Sequence, residues 1–481
     1  EAYRAADIIW TVTENDKQFI LDSIPNAQVD VVSNIHDNHV HEYVDSGSNK
    51  MLFFGGYNHY PNISAAKNIV ENILPLVRNE IPDAVLILAG ANATEEIEAL
   101  GTHEGVDFRG FIEEDDLAGL YQESLLSVAP LLAGAGIKGK ICESIVYRTP
   151  VVTNAIGNEG IDMINLEDGF IAEDNQELAQ LIIRAMKREF DFNSITHNAQ
   201  EKLKTIVGTE IVKRKMLGSI MPEVSICIVT WNRLDLLKRC IESIEGNTIY
   251  PFYKILVHSN GCTDGTQQYL EAAAAINKRI VPILSPDNEV FVIPNNNMMQ
   301  MFPDNDAVLV NNDVFVTRGW LIELYKAAYA SPEIGIAGSK ILYPDQSLQE
   351  FGSELYENGT GRNIGKHDDP NKDEYKQLQR VGYVSGCSMY IKKMTRQKIG
   401  VFDLQFHPCY CEDSDYCYTA WEHNLQTVVT PNSIIYHDEG GTSGTDEDSG
   451  FKAYQKVNFE KFLKKHKENL GGIGETIKAL N

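Results

Sequence analysis

Three short stretches of this chain hold residue types that could do chemistry together. Asn311-Asn312-Asp313 closes one apolar run, Ala307-Val-Leu-Val-Asn311, and opens another, Val314-Phe-Val316. A carboxylate at the end of a buried strand is costly unless it has a partner. A hard divalent ion with a diphosphate is a natural one, because Mg²⁺ is usually held by one or two carboxylates plus substrate phosphates. Cys411-Glu412-Asp413-Ser414-Asp415 gathers three acids behind an aromatic, Pro-containing loop. Packed carboxylates push one another's pKa upward, which suits a proton acceptor. Ile434-Ile-Tyr-His437 ends a third run on an imidazole, a candidate further ligand. Each stretch alone has a plainer explanation: turn chemistry for the Asn-Asn-Asp, a favourably charged helix N-cap for the acids, a satisfied core histidine. The ordered set, at the ends of three different runs, is much harder to obtain by chance.

The elements that must position these residues come in two α/β blocks. In the first, Asp7–Val12, Val29–Ser33, Met51–Gly55, Ala84–Gly90, Val106–Gly110, Leu125–Ala129 and Pro150–Thr153 read as strands, with helical spacing from Asn62 to Val77. Such alternation predicts a doubly wound parallel sheet that binds ligands at the carboxyl ends of its strands. Residues 177–217 read as closing helices and a connector. The second block opens at Pro222. Val224–Thr230 is a strand, Leu234–Ile244 an amphipathic helix, and Lys254–His258 a strand ending at the turn-rich Asn260-Gly-Cys-Thr-Asp264-Gly265. Beyond residue 335 the runs shorten and a mixed sheet is expected. Phe451–Leu470 reads as a Lys-rich helix, a candidate for peripheral contact with anionic lipid or a lipid-diphosphate acceptor, or else a packed amphipathic helix.

Composition narrows the class. The chain has 481 residues, 43% hydrophobic and 23% charged, as in ordinary globular proteins. With 42 basic and 68 acidic residues its net charge is −26, which repels phosphate polymers and argues against a nucleic-acid partner. The eight Cys form no secreted disulfide framework. Cys409, Cys411 and Cys417 lack the CxxC pairing of a zinc site and read, with the rest, as free cytosolic thiols. No apolar run reaches the ~18 residues of a membrane span, and no signal peptide is visible. The first residue is Glu1, within a helical pattern, so the start is expected to be a cut and not a natural terminus.

On these residues the second block, from about Val224 to Ser443, resembles a family 2 glycosyltransferase of GT-A fold. Val224–Arg233 looks like the opening strand of that family and Asn260–Gly265 its nucleotide-side loop. Asn311–Asp313 resembles its "DXD" element, Cys411–Asp415 its "ED" element and Tyr436-His437 its late metal-ligand histidine. The resemblance implies that Asp313 and His437 hold Mg²⁺ or Mn²⁺, and that Thr230, Asn232, Arg233, Ser259, Asn260, Asp264, Asn288, Asn311 and Asn312 line a nucleotide-sugar donor. It implies Asp413 as the general base of an inverting transfer, with Glu412 beside it and Asp415 and Trp421 toward the acceptor. Two positions depart from the family: Ser259 stands where an Asp is usual, and Thr419 where a basic residue often follows the ED element.

The first block, from about Met51 to Lys187, resembles the nucleotide-binding half of a family 4 glycosyltransferase of GT-B fold. Phe53–Asn62 looks like its first strand and Gly loop. Gly134–Glu143, Arg148–Val152 and Gly157–Gly160 look like its donor motif. Gly55, Gly56, Lys138, Lys140 and Glu143 would meet the donor: free N–H groups and a helix dipole face the anion, the lysines add charge, and Glu143 accepts from the ribose. The family's Glu eight residues before Glu143 is here Ala135.

The implied organisation is a remnant of a preceding GT-B domain (1–34), a family 4-like domain (35–190), closing helices and linker (191–222), a GT-A family 2-like domain (223–450), and the Lys-rich helix and tail (451–481). The expected activity is metal-dependent sugar transfer to a glycan or lipid-linked glycan in surface polysaccharide or glycoconjugate synthesis, at the inner face of the cell membrane or elsewhere in the cytoplasm. A decayed, non-catalytic glycan- or nucleotide-binding scaffold is the alternative. A nucleotidyltransferase is a weaker one, since Thr230–Leu234 offers no GxGTR-type loop.

Overall fold

A computed structural model of the chain describes residues 2–36, 41–134, 136–438 and 450–480. Ala135, and the last part of the family 2-like stretch beyond residue 438, lie outside them. The chain forms two compact units, Glu1–Ile220 and Met221–Asn481.

The amino-terminal unit is built on six strands, of which the inner ones carry mostly apolar runs while the edge strand Val106–Gly110 carries Asp107 and an exposed Arg109. Their order is Val106–Gly110, Val85–Ala89, Lys50–Phe54, Leu126–Ala129, Val151–Asn154, Phe170–Ala172, with every pairing parallel. Parallel strands covered on both faces need this near-continuous apolarity. Met51, Phe53, Leu86 and Leu88 pack under Ile69, Ile73 and Val77 on one side. Leu52 and Ile87 meet Leu120 and Tyr121 on the other. The winding reverses direction between Lys50–Phe54 and Leu126–Ala129, which opens a crevice at the carboxyl edge of the sheet. Ile9–Thr11 and Val29–Val31 form a separate two-stranded parallel sheet. The expected closing helices are Asn175–Met186, Phe192–Val207 and Thr209–Ile220.

The carboxyl-terminal unit holds a ten-stranded mixed sheet. Its main path runs Ile280–Ser285, Tyr253–Asn260, Val224–Thr230, Asp306–Asn311, Ser388–Ile391, Ile334–Leu342, Gln426–His437, Val314–Val316. The first four are mutually parallel, and Ser388–Ile391 enters antiparallel to both its neighbours. Leu348–Glu350 and Gln379–Arg380 attach to the side. The change from parallel to mixed pairing thus falls in the half of this unit beyond residue 335. The helix expected over 451–470 runs Tyr454–His466, and a further helix, Leu470–Leu480, follows it. Between them the chain turns at Asn469, whose side chain donates to Glu422 Oε1 (2.8 Å). Among the described residues no helix is long and apolar enough to cross a membrane, and all eight cysteines are free.

One glycine holds the amino-terminal crevice open. Gly90 has a φ of +139°, and a Cβ there would lie 1.9 Å from the Gly55 carbonyl oxygen. Gly90→Ala is therefore expected to cost at least about 2 kcal/mol, from strained φ and the clash together. A urea midpoint equal to that of the unaltered chain would show that the Gly55 loop can simply move aside.

Candidate active site

Strand order brings the ends of distant segments together in the carboxyl-terminal unit. Val224–Thr230 and Asp306–Asn311 run parallel, with Val229 opposite Asn311. Their ends are tied by Asn312, whose Nδ2 donates to Thr230 Oγ1 (3.1 Å). Val314–Val316 then pairs antiparallel with the end of Gln426–His437, placing Val314 opposite His437. The residue before Val314 is Asp313, so its carboxylate meets the imidazole: Oδ1 lies 3.3 Å from His437 Nε2. Both residues are buried. Among the described residues Asp313 Oδ1 nevertheless has no hydrogen-bond partner, because the contact with His437 is of ion-pair length without hydrogen-bond alignment.

A buried carboxylate oxygen left unbonded beside an imidazole nitrogen suits a shared divalent cation. Among the described residues no group of three or more His, Cys, Asp or Glu is arranged to hold a metal. A cation on Asp313 and His437 would complete its shell with substrate oxygens and water, as is usual for Mg²⁺.

The acidic pair stands in the same pocket. It opens the helix Glu412–Glu422, whose first turn favours negative charge. Asp413 Oδ2 accepts from the Gly386 N–H (3.2 Å) and Oδ1 from the Ser414 N–H (2.7 Å), which fixes the carboxylate's direction. Glu412 is buried and its Oε2 has no partner. Burial pushes both carboxyl groups upward. Glu412 rises well above the usual carboxylate range, first by burial and then by the adjacent Asp413 charge. Asp413 is raised chiefly by its own burial, against the lowering effect of the Gly386 and Ser414 N–H groups.

The turn that aims this pair is strained and externally braced. Tyr410 and Cys411, immediately before Glu412, have φ of 73° and 66°, the left-handed region that non-glycine residues avoid. Asn458, fully buried on the helix Tyr454–His466, donates its Nδ2 to the carbonyls of Phe406 (2.8 Å), Cys409 (2.8 Å) and Tyr410 (3.1 Å). Two turns further along the same helix, Lys465 and His466 take hold of Asp415 at 2.9 and 2.8 Å. The Lys-rich helix is thus packed on the catalytic-type loop, with Lys464 and Lys467 left exposed.

The pocket has a volume of about 260 Å³. Of the residues expected there, Asn260, Asn288, Asn311, Asn312, Asp313, Glu412 and Asp413 line it. Trp231, Phe291, Tyr410 and Phe451 also line it, and the rings of Trp231 and Phe451 meet edge to face at 6.3 Å. Nothing in the local pattern distinguishes these aromatics from core residues, so sequence reasoning passed over them.

Other expected residues are placed elsewhere. Ser259 has no exposed surface and does not line the pocket. Thr230 is equally buried. Asn232, Arg233 and Asp264 build the adjoining loop: Asn232 Oδ1 accepts from the Thr263 N–H (2.9 Å), Asp264 Oδ2 from the Leu234 N–H (2.9 Å), and Arg233 pairs with Asp235 (3.1 Å). Asp415, expected toward the acceptor, is buried against Lys465 and His466, since a buried carboxylate needs cationic partners. Trp421, expected beside it, faces inward and donates to the Val381 carbonyl (3.1 Å).

In the amino-terminal unit the expected donor residues gather at the crevice. Lys140 Nζ donates to Asn62 Oδ1 and lies over the Phe53 ring (4.6 Å to its centre). A Cβ on Gly55 would come within 3.0 Å of that ammonium. Burial lowers the Lys140 pKa to about 8, and raises that of Glu143, which accepts from Tyr121 Oη (3.3 Å). Lys138 pairs with Glu159 (3.3 Å), which also accepts from the Gly136 N–H (2.9 Å) and from Asn15 Nδ2 (3.0 Å). Gly56 accepts through its carbonyl from Asn62 Nδ2 (2.7 Å).

Comparison with known proteins agrees with this two-part arrangement. Residues 48–188 match the family described as glycosyl transferases group 1, and residues 225–397 match glycosyl transferase family 2. The chain therefore carries one glycosyltransferase domain of each kind, as the motifs in the two blocks imply. An uncharacterized protein, y4gI, of Sinorhizobium fredii is 25% identical over 47% of this chain and 25% of its own length. The O-antigen biosynthesis protein RfbC of Myxococcus xanthus is 24% identical over 47% of this chain and 18% of its own. The uncharacterized glycosyltransferase YwdF of Bacillus subtilis is 23% identical over 53% of this chain and 85% of its own. The matches thus span a quarter or less of the first two relatives.

Two outcomes follow from the packing of the acidic loop. Asn458→Leu leaves three carbonyls without their donor and is expected to lower unfolding stability by about 1–3 kcal/mol. A denaturation midpoint matching that of the parent chain would contradict the bracing. Glu412 protonates more readily folded than unfolded, so its contribution is present at acid pH and is lost as pH rises through its raised pKa. Glu412→Gln should accordingly be more stable than the parent at pH 7, with the difference closing toward pH 4. Thermal melts at the two pH values measure this, and a variant less stable at pH 7 would exclude it.

Proposed function

We propose that the carboxyl-terminal unit transfers a sugar from a nucleotide-sugar to an acceptor hydroxyl with inversion at the anomeric carbon, and depends on a divalent cation. The observation that carries the proposal is that Asp313, with one oxygen unbonded among the described residues, lines the pocket beside Glu412 and Asp413 while its carboxylate meets His437, which is not itself part of the lining. A Mg²⁺ or Mn²⁺ held by Asp313 and His437 would supply positive charge to a departing nucleoside diphosphate.

The remaining roles belong to the chain itself. Asn260, Asn288 and Asn311 offer neutral donors and acceptors to the nucleotide, and among the described residues no basic side chain lines the pocket. Trp231 and Phe451 give apolar faces against which a sugar ring or base can lie. Asp413, held by two backbone N–H groups, takes the proton of the acceptor hydroxyl as its oxygen bonds to the anomeric carbon and the bond to the diphosphate breaks. Glu412, held well above the usual carboxylate range, spares Asp413 a second negative charge at close range. The amino-terminal unit is assigned a nucleotide-binding role at Gly55, Lys140 and Glu143. Association with surface polysaccharide synthesis is supported by the kinship with RfbC, and the exposed Lys464 and Lys467 allow an acceptor carried on an anionic membrane.

Incubation with a panel of α-linked nucleotide-sugars and Mn²⁺ should release nucleoside diphosphate and yield a β-linked product by NMR. EDTA should abolish turnover and added Mn²⁺ restore it. Asp413→Asn should lower kcat by about 10²–10⁴ with the donor KM nearly unchanged. Because the Asp413 carboxyl is raised, activity should fall, as pH drops, at a higher pH than an ordinary aspartate would give. An α-linked product, or full activity in Asp413→Asn, would overturn the proposal.

A further inference from the structure

Behind His437 lies a residue that no motif contains. Leu348–Glu350 is a short strand on the edge of Ile334–Leu342, and its pairing is irregular. Ile341 stands opposite Glu350, and Leu342 opposite Leu348. Gln349 is the extra residue in that ladder, with no counterpart across it. A bulge of this kind re-aims a side chain and is common beside active sites. Here it turns Gln349 onto the imidazole: Gln349 Nε2 lies 3.1 Å from His437 Nδ1, and both residues are buried.

The hydrogen bonding of this pair is incomplete in a particular way. With the amide nitrogen toward Nδ1, the amide donates and Nδ1 accepts, so the neutral ring carries its proton on Nε2, facing Asp313. Gln349 Oε1 is then buried with no hydrogen-bond partner among the described residues. Turning the amide over reverses every term. Gln349 Oε1 then accepts from Nδ1–H, the amide N–H groups take the buried place that Oε1 had, and His437 Nε2 presents a lone pair toward Asp313 Oδ1 at 3.3 Å. Two lone pairs face to face at that distance repel unless a cation lies between them. Amide nitrogen and oxygen are nearly alike in shape, so the two arrangements differ only in where the protons are.

We propose that Gln349 is a positioning residue for His437, selecting the tautomer that frees Nε2 for a divalent cation by accepting the Nδ1 proton on its side-chain oxygen. This rests on the metal-dependent transferase reading of the same pocket. The pair acts as a two-state element: amide nitrogen toward the ring with the proton on Nε2, or amide oxygen toward the ring with the proton on Nδ1. Ligating histidines generally depend on such a partner for orientation and basicity, and loss of the partner typically weakens metal affinity 10–100-fold.

The test uses the full chain and Mn²⁺, alone and with inorganic pyrophosphate, with free Mn²⁺ followed by its EPR signal. Gln349→Glu, which can only accept when ionised, should bind Mn²⁺ within about threefold of the parent. Gln349→Met, of similar length but unable to accept strongly, should bind about 10–100-fold more weakly. A merely structural role would move the two variants together with the unfolding midpoint, not apart in affinity. If Gln349→Met does not fold, ¹⁵N-histidine NMR of the Mg²⁺-loaded parent decides. His437, assigned by its absence in His437→Ala, should carry its proton on Nδ1, and a proton on Nε2 overturns the proposal. Mn²⁺ binding lost in His437→Ala but unchanged in Gln349→Met also overturns it while leaving the transferase reading intact. Absence of Mn²⁺ binding by the parent under both conditions would overturn that reading, and this inference with it.

Discussion

The carboxyl-terminal site depends on one antiparallel pairing. Val314–Val316 is three residues long, yet its register against the end of Gln426–His437 is what sets Asp313 beside His437. A slip of one residue would send the carboxylate to the opposite face of the sheet, since side chains alternate with period two. The register is protected by apolar burial: Val314, Val316 and Ile435 all belong to the core. A costly polar pair is thereby held by cheap, non-directional packing on either side of it. The Asp438 N–H, donating to the Asp313 carbonyl (3.1 Å), extends the same pairing by one step.

Around that pair, polar groups are left deliberately short of partners. Among the described residues Asp313 Oδ1 and Glu412 Oε2 are buried without hydrogen bonds. Elsewhere in the unit, comparable carboxylates are fully engaged. Asp306, deep at the other end of its strand, receives Tyr329, Tyr390 and the Lys393 N–H. Asp415, two residues from Asp413, is closed off by Lys465 and His466. The contrast separates acids closed off by partners in the fold from an acid left with an unbonded oxygen, and between Glu412 and Asp415 it arises within a single helical turn. The bracing comes from far along the chain, because Asn458 and His466 lie on a helix that follows the whole sheet.

The two units apply one physical rule through different topologies. Each ends its parallel strands on glycine- and asparagine-rich turns, where free N–H groups and helix starts can meet an anion. In the amino-terminal unit Gly55, Asn62 and Lys140 converge at the point where the winding reverses. In the carboxyl-terminal unit the polar ends of Val224–Thr230 and Asp306–Asn311 are locked by Asn312, and charge is placed by acids instead of lysines.

Local pattern was enough for much of this. The apolar runs marked the strands because burial on both faces leaves no polar alternation, and Val224–Thr230 and Val314–Val316 coincide with their runs. Motif spacing was enough to single out Asp313, Glu412, Asp413 and His437, because chemistry-bearing residues sit where strands end. What the sequence could not determine is which side chains share a pocket. Asp415, in the same motif as Asp413, and Trp421, on the same helix, turn into the protein, since successive helix positions differ by about 100°. Gln349, Asn458, Trp231 and Phe451 carry no local mark at all. Their contacts depend on strand order, a bulged register and the docking of a late helix. Only tertiary structure decides these, because they are set by the balance of packing over the whole unit and not by the residues next to them in the chain.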